Sequence, residues 1–244
     1  MLVANWKMNG SSALVNKWIE GVNSSIPEHI QSRCVFCPPA CFLYQASNLI
    51  KERDLKISLG AQDIDPISKT GLTGGISGFV LKELGCKYVI IGHSENRVNG
   101  DDNALINKKI KVSLNNKLKI LFCIGENFNE KKHKKTKIVI KSQINNGLKN
   151  IKNIKNIIFA YEPVWSIGTG IIPKEHELKN NILFIKQLLK KKFKLKNPKV
   201  LYGGSVNPKN IKELRTINQI DGFLIGGASQ NSNKFIDIIK KTFN

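Results

Sequence analysis

The chain has 244 residues, enough to bury a large core without disulfide or metal staples and about the size of one α/β barrel. No stretch approaches the ~20 consecutive apolar residues of a membrane span, so no membrane association is expected. The 39 Lys and Arg against 18 Asp and Glu give a formal charge of +21, but only Arg33, Arg53, Arg97 and Arg215 are arginines. Arg is the preferred group for bidentate base and phosphate recognition, and the aromatics are not interleaved with the lysine runs. The runs at 131–137 and 186–196 interrupt apolar residues at helical spacing (Ile185, Leu188, Leu189, Phe193). They read as solvated helix faces, and no nucleic-acid partner is expected.

Short apolar runs alternate with longer amphipathic segments, the pattern of βαβ units around a parallel sheet. Strands are expected at 2–6, 33–37, 56–61, 88–91, 119–124, 157–161, 200–202 and 222–225. Helices are expected at about 11–23, 42–52, 79–84, 102–114, in a long region reaching 148, from Pro173 onward, at 208–215 and at 232–241. Pro173 suits a first helical position. Eight such units in this length are what a closed (β/α)8 barrel requires, and no composition break or linker divides the chain. Met1 is followed almost at once by the strand-like Leu2-Val3-Ala4, which leaves no room for a leader, so a cytoplasmic location is expected.

The five cysteines do not form a framework. Cys34 and Cys37 match C-x-x-C, but their odd separation on a strand points them to opposite faces, so they can neither pair nor share a metal. The odd total fits a reduced compartment, and no metal site is expected.

The segment Ala160-Tyr161-Glu162-Pro163-Val164-Trp165-Ser166-Ile167-Gly168-Thr169-Gly170 organises the rest. An apolar run delivers Glu162 to the carboxyl end of a strand, and Pro163, which cannot donate to a ladder, stops the strand there. The residues beyond have a bulky front and a glycine-rich rear, suited to a lid hinged at both ends. Asn5 and Lys7 follow strand one, His93 strand four, Ser205 strand seven and Gly226-Gly227 strand eight. All would open onto one face.

The chemistry of that face follows from residue type. Glycine pairs after strands seven and eight leave backbone N–H groups bare for an anion, and barrels frequently hold phosphate there. Lys7 supplies a fixed positive charge. His93 offers a hydrogen bond to a carbonyl, and Glu162 remains as a base. One carboxylate, one imidazole and one ammonium around a phosphate pocket favour proton abstraction next to a carbonyl.

The segments Asn5-Trp6-Lys7-Met8-Asn9-Gly10, Gly92-His93-Ser94-Glu95, Cys123-Ile124-Gly125-Glu126, Tyr161-Glu162-Pro163-Val164-Trp165, Ile167-Gly168-Thr169-Gly170, Tyr202-Gly203-Gly204-Ser205-Val206 and Gly226-Gly227-Ala228-Ser229 resemble the motifs of the triosephosphate isomerase family, in that family's order. The resemblance implies a single-domain (β/α)8 TIM barrel over residues 1–244. It implies interconversion of dihydroxyacetone phosphate and D-glyceraldehyde 3-phosphate through an enediolate, without cofactor or metal. Glu162 would move the proton, His93 would polarise the carbonyl, and Lys7 and Asn5 would hold substrate and stabilise oxyanion charge. Gly168, Ser205, Gly226 and Gly227 would bind the phosphate. Ile167 and Leu224 would cover Glu162, and Tyr202 and Ser205 would latch the lid.

The resemblance also implies a homodimer in which the loop from Gln62 to Gly78 enters a second subunit, bringing Thr73 near the partner's site. The family commonly has Glu at the position of Gly75 and Arg at that of Asn96, residues that pair across the dimer. Both are missing together, so the dimer is expected to rest on loop packing and to be weaker than usual. Asp63, in place of the usual Asn, is a smaller change there.

Two competing readings stand beside this one. Another phosphate-binding barrel isomerase or lyase would need its own constellation, and no Schiff-base lysine stands at a mid-barrel strand position. A basic barrel acting as a nucleic-acid or surface binder would bind in a salt-dependent way that survives loss of Glu162.

Overall fold

Branched and aromatic residues crowd χ1 on a helix but pack well on a pleated surface, so the short runs Leu2–Asn5 (β1), Cys34–Cys37 (β2), Ser58–Ala61 (β3), Tyr88–Ile91 (β4), Lys119–Ile124 (β5), Ile157–Tyr161 (β6), Val200–Tyr202 (β7) and Phe223–Ile225 (β8) are strands. In the computed structural model, which describes residues 1–67 and 71–243, they are all parallel and follow chain order around a closed barrel. Closure comes from β1, which pairs Leu2 with Cys34 of β2 on one side and with Phe223 of β8 on the other. Ser68, Lys69 and Thr70, part of the loop expected to reach a second subunit, lie outside the described residues.

Strand period two sorts the core into two layers. Val3, Val35, Cys37, Ile90, Leu121, Cys123, Ala160, Leu201 and Leu224 fill the barrel interior. Leu2, Ala4, Cys34, Phe36, Val89, Ile91, Phe122 and Phe159 face the helices. Cys34 and Cys37 therefore do point to opposite faces, and all five cysteines are free. Burial pushes the Cys34 and Cys86 thiols up to about 12 and the Cys123 thiol well above its usual range, which leaves them inert.

The helices form where the expected periodicity lies, with ends set by local chemistry. Ser12–Ser25 (α1) is capped by Ser11, whose hydroxyl accepts from the Leu14 N–H. Glu28–Gln31 (α2) was not anticipated. It is followed by Leu43–Glu52 (α3), Gly78–Glu83 (α4), Ser94–Val98 (α5) and Asn103–Asn115 (α6), the last capped by Asp102. The region expected as one long helix to 148 is two, Phe128–Lys132 (α7), with an Asn127/Glu130 capping box, and Thr136–Gly147 (α8). Lys134 at φ 57° lies in the left-handed region and breaks the helix between them.

Pro173 is not a first helical position. Lys174 is extended at ψ 141°, so Glu175–Phe193 (α9) starts beyond it. α9 lays Leu178, Ile182, Ile185 and Leu189 on the barrel, pairs the half-buried Lys186 with Asp221 at 2.7 Å, and ends in Lys190, Lys191 and Lys192, where a helix C-terminus favours cations. The helix expected at 208–215 shortens to Ile211–Leu214 (α10). The Asn207 side chain accepts from the N–H groups of Lys209 and Asn210, which holds that stretch as a turn. Ser232–Phe243 (α11) ends the described chain.

An aromatic cluster ties the first unit to the last. Trp18 stacks on Phe36 with centroids 4.2 Å apart and on Phe235 at 5.3 Å, while Trp6 meets Trp18 and Phe36 edge-on. Both indole N–H groups donate to the Ser229 carbonyl, at 3.0 and 2.8 Å. Burying each large ring contributes roughly 2–3 kcal/mol, so this cluster holds the β8 end against β1.

Candidate active site

The inward rows of the barrel end at its carboxyl rim, and period two decides which side chains reach the middle. Asn5 lies two residues after the inward Val3, and Glu162 two after the inward Ala160, so both enter the space above the apolar interior. A cavity of about 210 Å³ opens there, lined by Asn5, Lys7, His93, Glu162, Gly168, Ser205, Gly226 and Gly227, together with Ile167, Leu224 and the Gly203-Gly204 pair. Each residue expected from the sequence to handle the proton, the carbonyl or the phosphate lies on it, whereas Tyr202, expected as a lid latch, does not.

Glu162 is 2% exposed. Its Oε2 accepts from the Ser94 backbone N–H at 3.2 Å. Among the described residues Oε1, which is buried, has no hydrogen-bond partner, and His93 Nε2 stands 3.4 Å from it. A buried carboxylate oxygen left unpaired is costly, and such groups gather where a proton is to be taken. Gly203 makes room for this side chain, since a Cβ there would lie 2.8 Å from Glu162 Cγ. Gly125 does the same for its backbone, with a Cβ 1.8 Å from the Glu162 carbonyl oxygen.

His93 is 6% exposed and caps α5, its Nδ1 accepting from the Glu95 N–H at 3.2 Å. An Nδ1 that accepts puts the ring proton on Nε2, facing the cavity, in the neutral imidazole. The imidazole is thus arranged to donate to an oxygen of a bound molecule.

Lys7 sits at φ 54°, in the left-handed region, where a non-glycine residue is held only by its surroundings. Its N–H donates to Asn5 Oδ1 at 3.1 Å, and Gln62 Nε2 donates to its carbonyl and to that of Cys37, both at 2.9 Å. Its ammonium pairs with Glu95 at 2.5 Å. The strained turn aims the ammonium along the cavity rim.

Beyond strands seven and eight the lining is mainly backbone. A Cβ on Gly227 would meet nothing within 4 Å, and one on Gly226 would meet only Lys7 Cε, at 3.5 Å. These glycines are therefore not demanded by packing and leave their N–H groups open to an anion.

Three residues had no role from the sequence. Glu126, 1% exposed, accepts from the Trp165 indole at 3.0 Å and the Tyr161 hydroxyl at 3.1 Å, fixing the front of the lid; Asn181 in turn donates to Tyr161. Burial raises its carboxyl, and the two donors oppose that. Its signal was the same as that of Glu162, a carboxylate just beyond a strand. Arg97 donates to the carbonyls of Gly92 and Cys123, at 2.9 and 3.2 Å, and so joins the ends of β4 and β5. Glu95 pairs with the Lys7 ammonium, and its place after His93 in the sequence does not reveal that role. Among the described residues, no group of three or more His, Cys, Asp or Glu side chains is arranged to hold a metal.

The triosephosphate isomerase family model matches residues 1–242. Triosephosphate isomerase of Dictyoglomus thermophilum is 39% identical, covering 98% of each chain. That of Thermodesulfovibrio yellowstonii is 38% identical, again over 98% of each, and that of Buchnera aphidicola 38%, over 99% of this chain and 98% of its own. The match runs from β1 to α11 with the cavity-lining motifs at their expected strand ends, and the chain belongs to the triosephosphate isomerase family.

Proposed function

We infer that the residues lining the barrel cavity carry the family's reaction. The chain is an aldose-ketose isomerase that interconverts dihydroxyacetone phosphate and D-glyceraldehyde 3-phosphate, a step of glycolysis and, in reverse, of gluconeogenesis. The observation that carries the assignment of roles is the buried, unpartnered Oε1 of Glu162 beside His93 Nε2.

Glu162 takes a proton from the carbon next to the carbonyl. The C–H electron pair becomes the C=C of the enediolate, and the carbonyl oxygen takes up the negative charge. The His93 Nε2–H donates to that oxygen, and the Lys7 ammonium and Asn5 amide stabilise its charge. The hydroxyl proton on the deprotonated carbon then passes to the oxyanion by way of the His93 Nε2, and Glu162 returns its proton to the former carbonyl carbon, which leaves the C=O on its neighbour. Backbone or side-chain groups at Gly168, Ser205, Gly226 and Gly227 bind the phosphate. Ile167 and Leu224 line the same cavity and keep water from the carboxylate. A closed lid also prevents a side reaction, in which the enediolate electrons expel phosphate by breaking its C–O bond and leave a three-carbon 2-oxoaldehyde.

Turnover of D-glyceraldehyde 3-phosphate, compared between the native protein and Glu162→Asp, tests these roles. Shortening the side chain keeps the charge but withdraws it about 1 Å, and a kcat fall on the order of 10²-fold or more is expected. A Glu162→Asp enzyme as fast as native would remove Glu162 from the base role.

The same reading takes residues 1–244 as one domain working as a homodimer in the cytoplasm. Exposed Met8 and Val98 border an outer cavity of about 700 Å³ beside Lys7 and Glu95, and Leu72 and Phe79 are exposed on and just after the loop at 62–78. A second copy of that loop, which exposes Leu72, is the occupant that suits the cavity. Asp63 pairs within its own chain with Lys109 at 2.7 Å, and a Cβ on Gly75 would press on Leu72 at 3.0 Å, so neither residue supplies a charge for a partner. Sedimentation at nanomolar concentration should therefore find dissociation, and a dimer still intact there would refute the weak interface. Five free cysteines fit a reducing compartment.

A further inference from the structure

Ser166 ends the short turn Val164–Ser166 at the front of the lid and is fully buried. Its Oγ donates to the Ile171 carbonyl at 2.6 Å, lies 3.1 Å from the Tyr202 hydroxyl and accepts from the Ser205 N–H at 3.4 Å. A serine hydroxyl has one proton and two lone pairs. With its proton on Ile171, the Tyr202 hydroxyl must be the donor in their bond, and every bonding position of Oγ is occupied. Burial pushes the Tyr202 hydroxyl up to about 12, so it keeps its proton at neutral pH. Gly204 is shaped to this arrangement, because a Cβ there would lie 2.2 Å from Tyr202 Oη and 2.8 Å from Ser166 Oγ.

One atom thus joins the front of the lid, its rear and the rim beyond β7. The glycines between, Gly168 and Gly170, have positive φ and are exposed. Apart from Ser166, the rear is held by the Thr169 hydroxyl, which donates to the Ser166 carbonyl and accepts from the Ile171 N–H.

We propose that Ser166 is a positioning residue for the lid, its hydroxyl setting where residues 163–170 rest on the β7 rim and so how well the enediolate is shielded. The shielding part rests on the isomerase reading; the anchoring part does not.

The test takes the full-length native protein, Ser166→Ala, Tyr202→Phe and the double variant. Amide hydrogen exchange at residues 167–171 is followed without substrate, and the 2-oxoaldehyde and phosphate released per turnover are measured with D-glyceraldehyde 3-phosphate. Losing a shared buried hydrogen bond should speed exchange about tenfold in Ser166→Ala and raise the leaked fraction by a similar factor, with melting lowered by only a few degrees. Because the two residues share one bond, the double variant should fall short of the product of the single effects. Exchange within twofold of native, or independent single effects, would overturn the anchor. Faster exchange with an unchanged leaked fraction would overturn the shielding role. Absence of turnover by the native protein would sink the isomerase reading while leaving the exchange result to decide the anchor.

Discussion

The two sides of the cavity are built from different materials. Toward β1, β4 and β6 the lining is side chain, and each group is held by others: Gln62 supports the strained Lys7, the Glu95 N–H orients His93, and the Ser94 N–H takes one oxygen of Glu162. Toward β7 and β8 it is mostly bare backbone, with Gly226 and Gly227 under little or no packing constraint. Proton transfer needs a few atoms fixed to within a fraction of an ångström, which only a braced side chain supplies. A phosphate needs several donors spread around three oxygens, which a backbone without Cβ atoms supplies at close range.

This contrast breaks most severely if a braced side chain is altered. His93→Gln keeps a donor but loses the fixed Nε2 direction, and kcat should fall on the order of 10²-fold with the fold intact, as steady-state kinetics and a melting curve would show. A loss confined to KM would mean the imidazole only binds. Gly203→Ala is a subtler attack on a braced side chain, made from the β7 side. Its Cβ would stand 2.8 Å from Glu162 Cγ and displace the carboxylate, so kcat should drop roughly 10–10²-fold although no polar group is removed.

On the backbone side the expected signature reverses. Gly227→Ala meets nothing within 4 Å, so stability should be unchanged while KM rises about tenfold and inorganic phosphate inhibits less. If kcat alone suffered, the division between chemistry and phosphate binding would be wrong. The smallest effect concerns Glu126, which braces the lid and not the substrate. Burial raises its carboxyl above the ordinary 4.5, so the folded state holds this proton more tightly than the unfolded chain does. The group's stabilising contribution is present below pH 4.5 and is lost as pH rises through the folded value. Melting temperature measured against Glu126→Gln should therefore show the native protein losing ground as pH rises above 4.5. A native protein that gains on the variant over that range would contradict the direction.

Several features were legible because they depend on neighbours in sequence. Alternating apolar runs placed all eight strands within two residues, and Pro163 after Glu162 marked the strand end where the carboxylate stands. The odd spacing of Cys34 and Cys37 was enough to separate their faces. Others were hidden because their cause is distant. Arg97 was one basic residue among 39 until β5 came close enough to offer the Cys123 carbonyl. Ser166 looked like a loop serine, and Lys7 gave no hint of its left-handed backbone, which Gln62 helps to hold from 55 residues away.

Residue type and strand period were thus sufficient to say which groups reach the barrel mouth, because side-chain alternation is a local property of an extended chain. Only the closed barrel decided what each group meets there: the unpartnered Oε1 of Glu162, the imidazole Nε2 beside it, the hub at Ser166 and the Glu126 brace. The contacts between His93 and Glu162, Ser166 and Tyr202, and Glu126 and Trp165 join residues 69, 36 and 39 positions apart, and no local pattern encodes the distance at which two strand ends will stand once the sheet has closed.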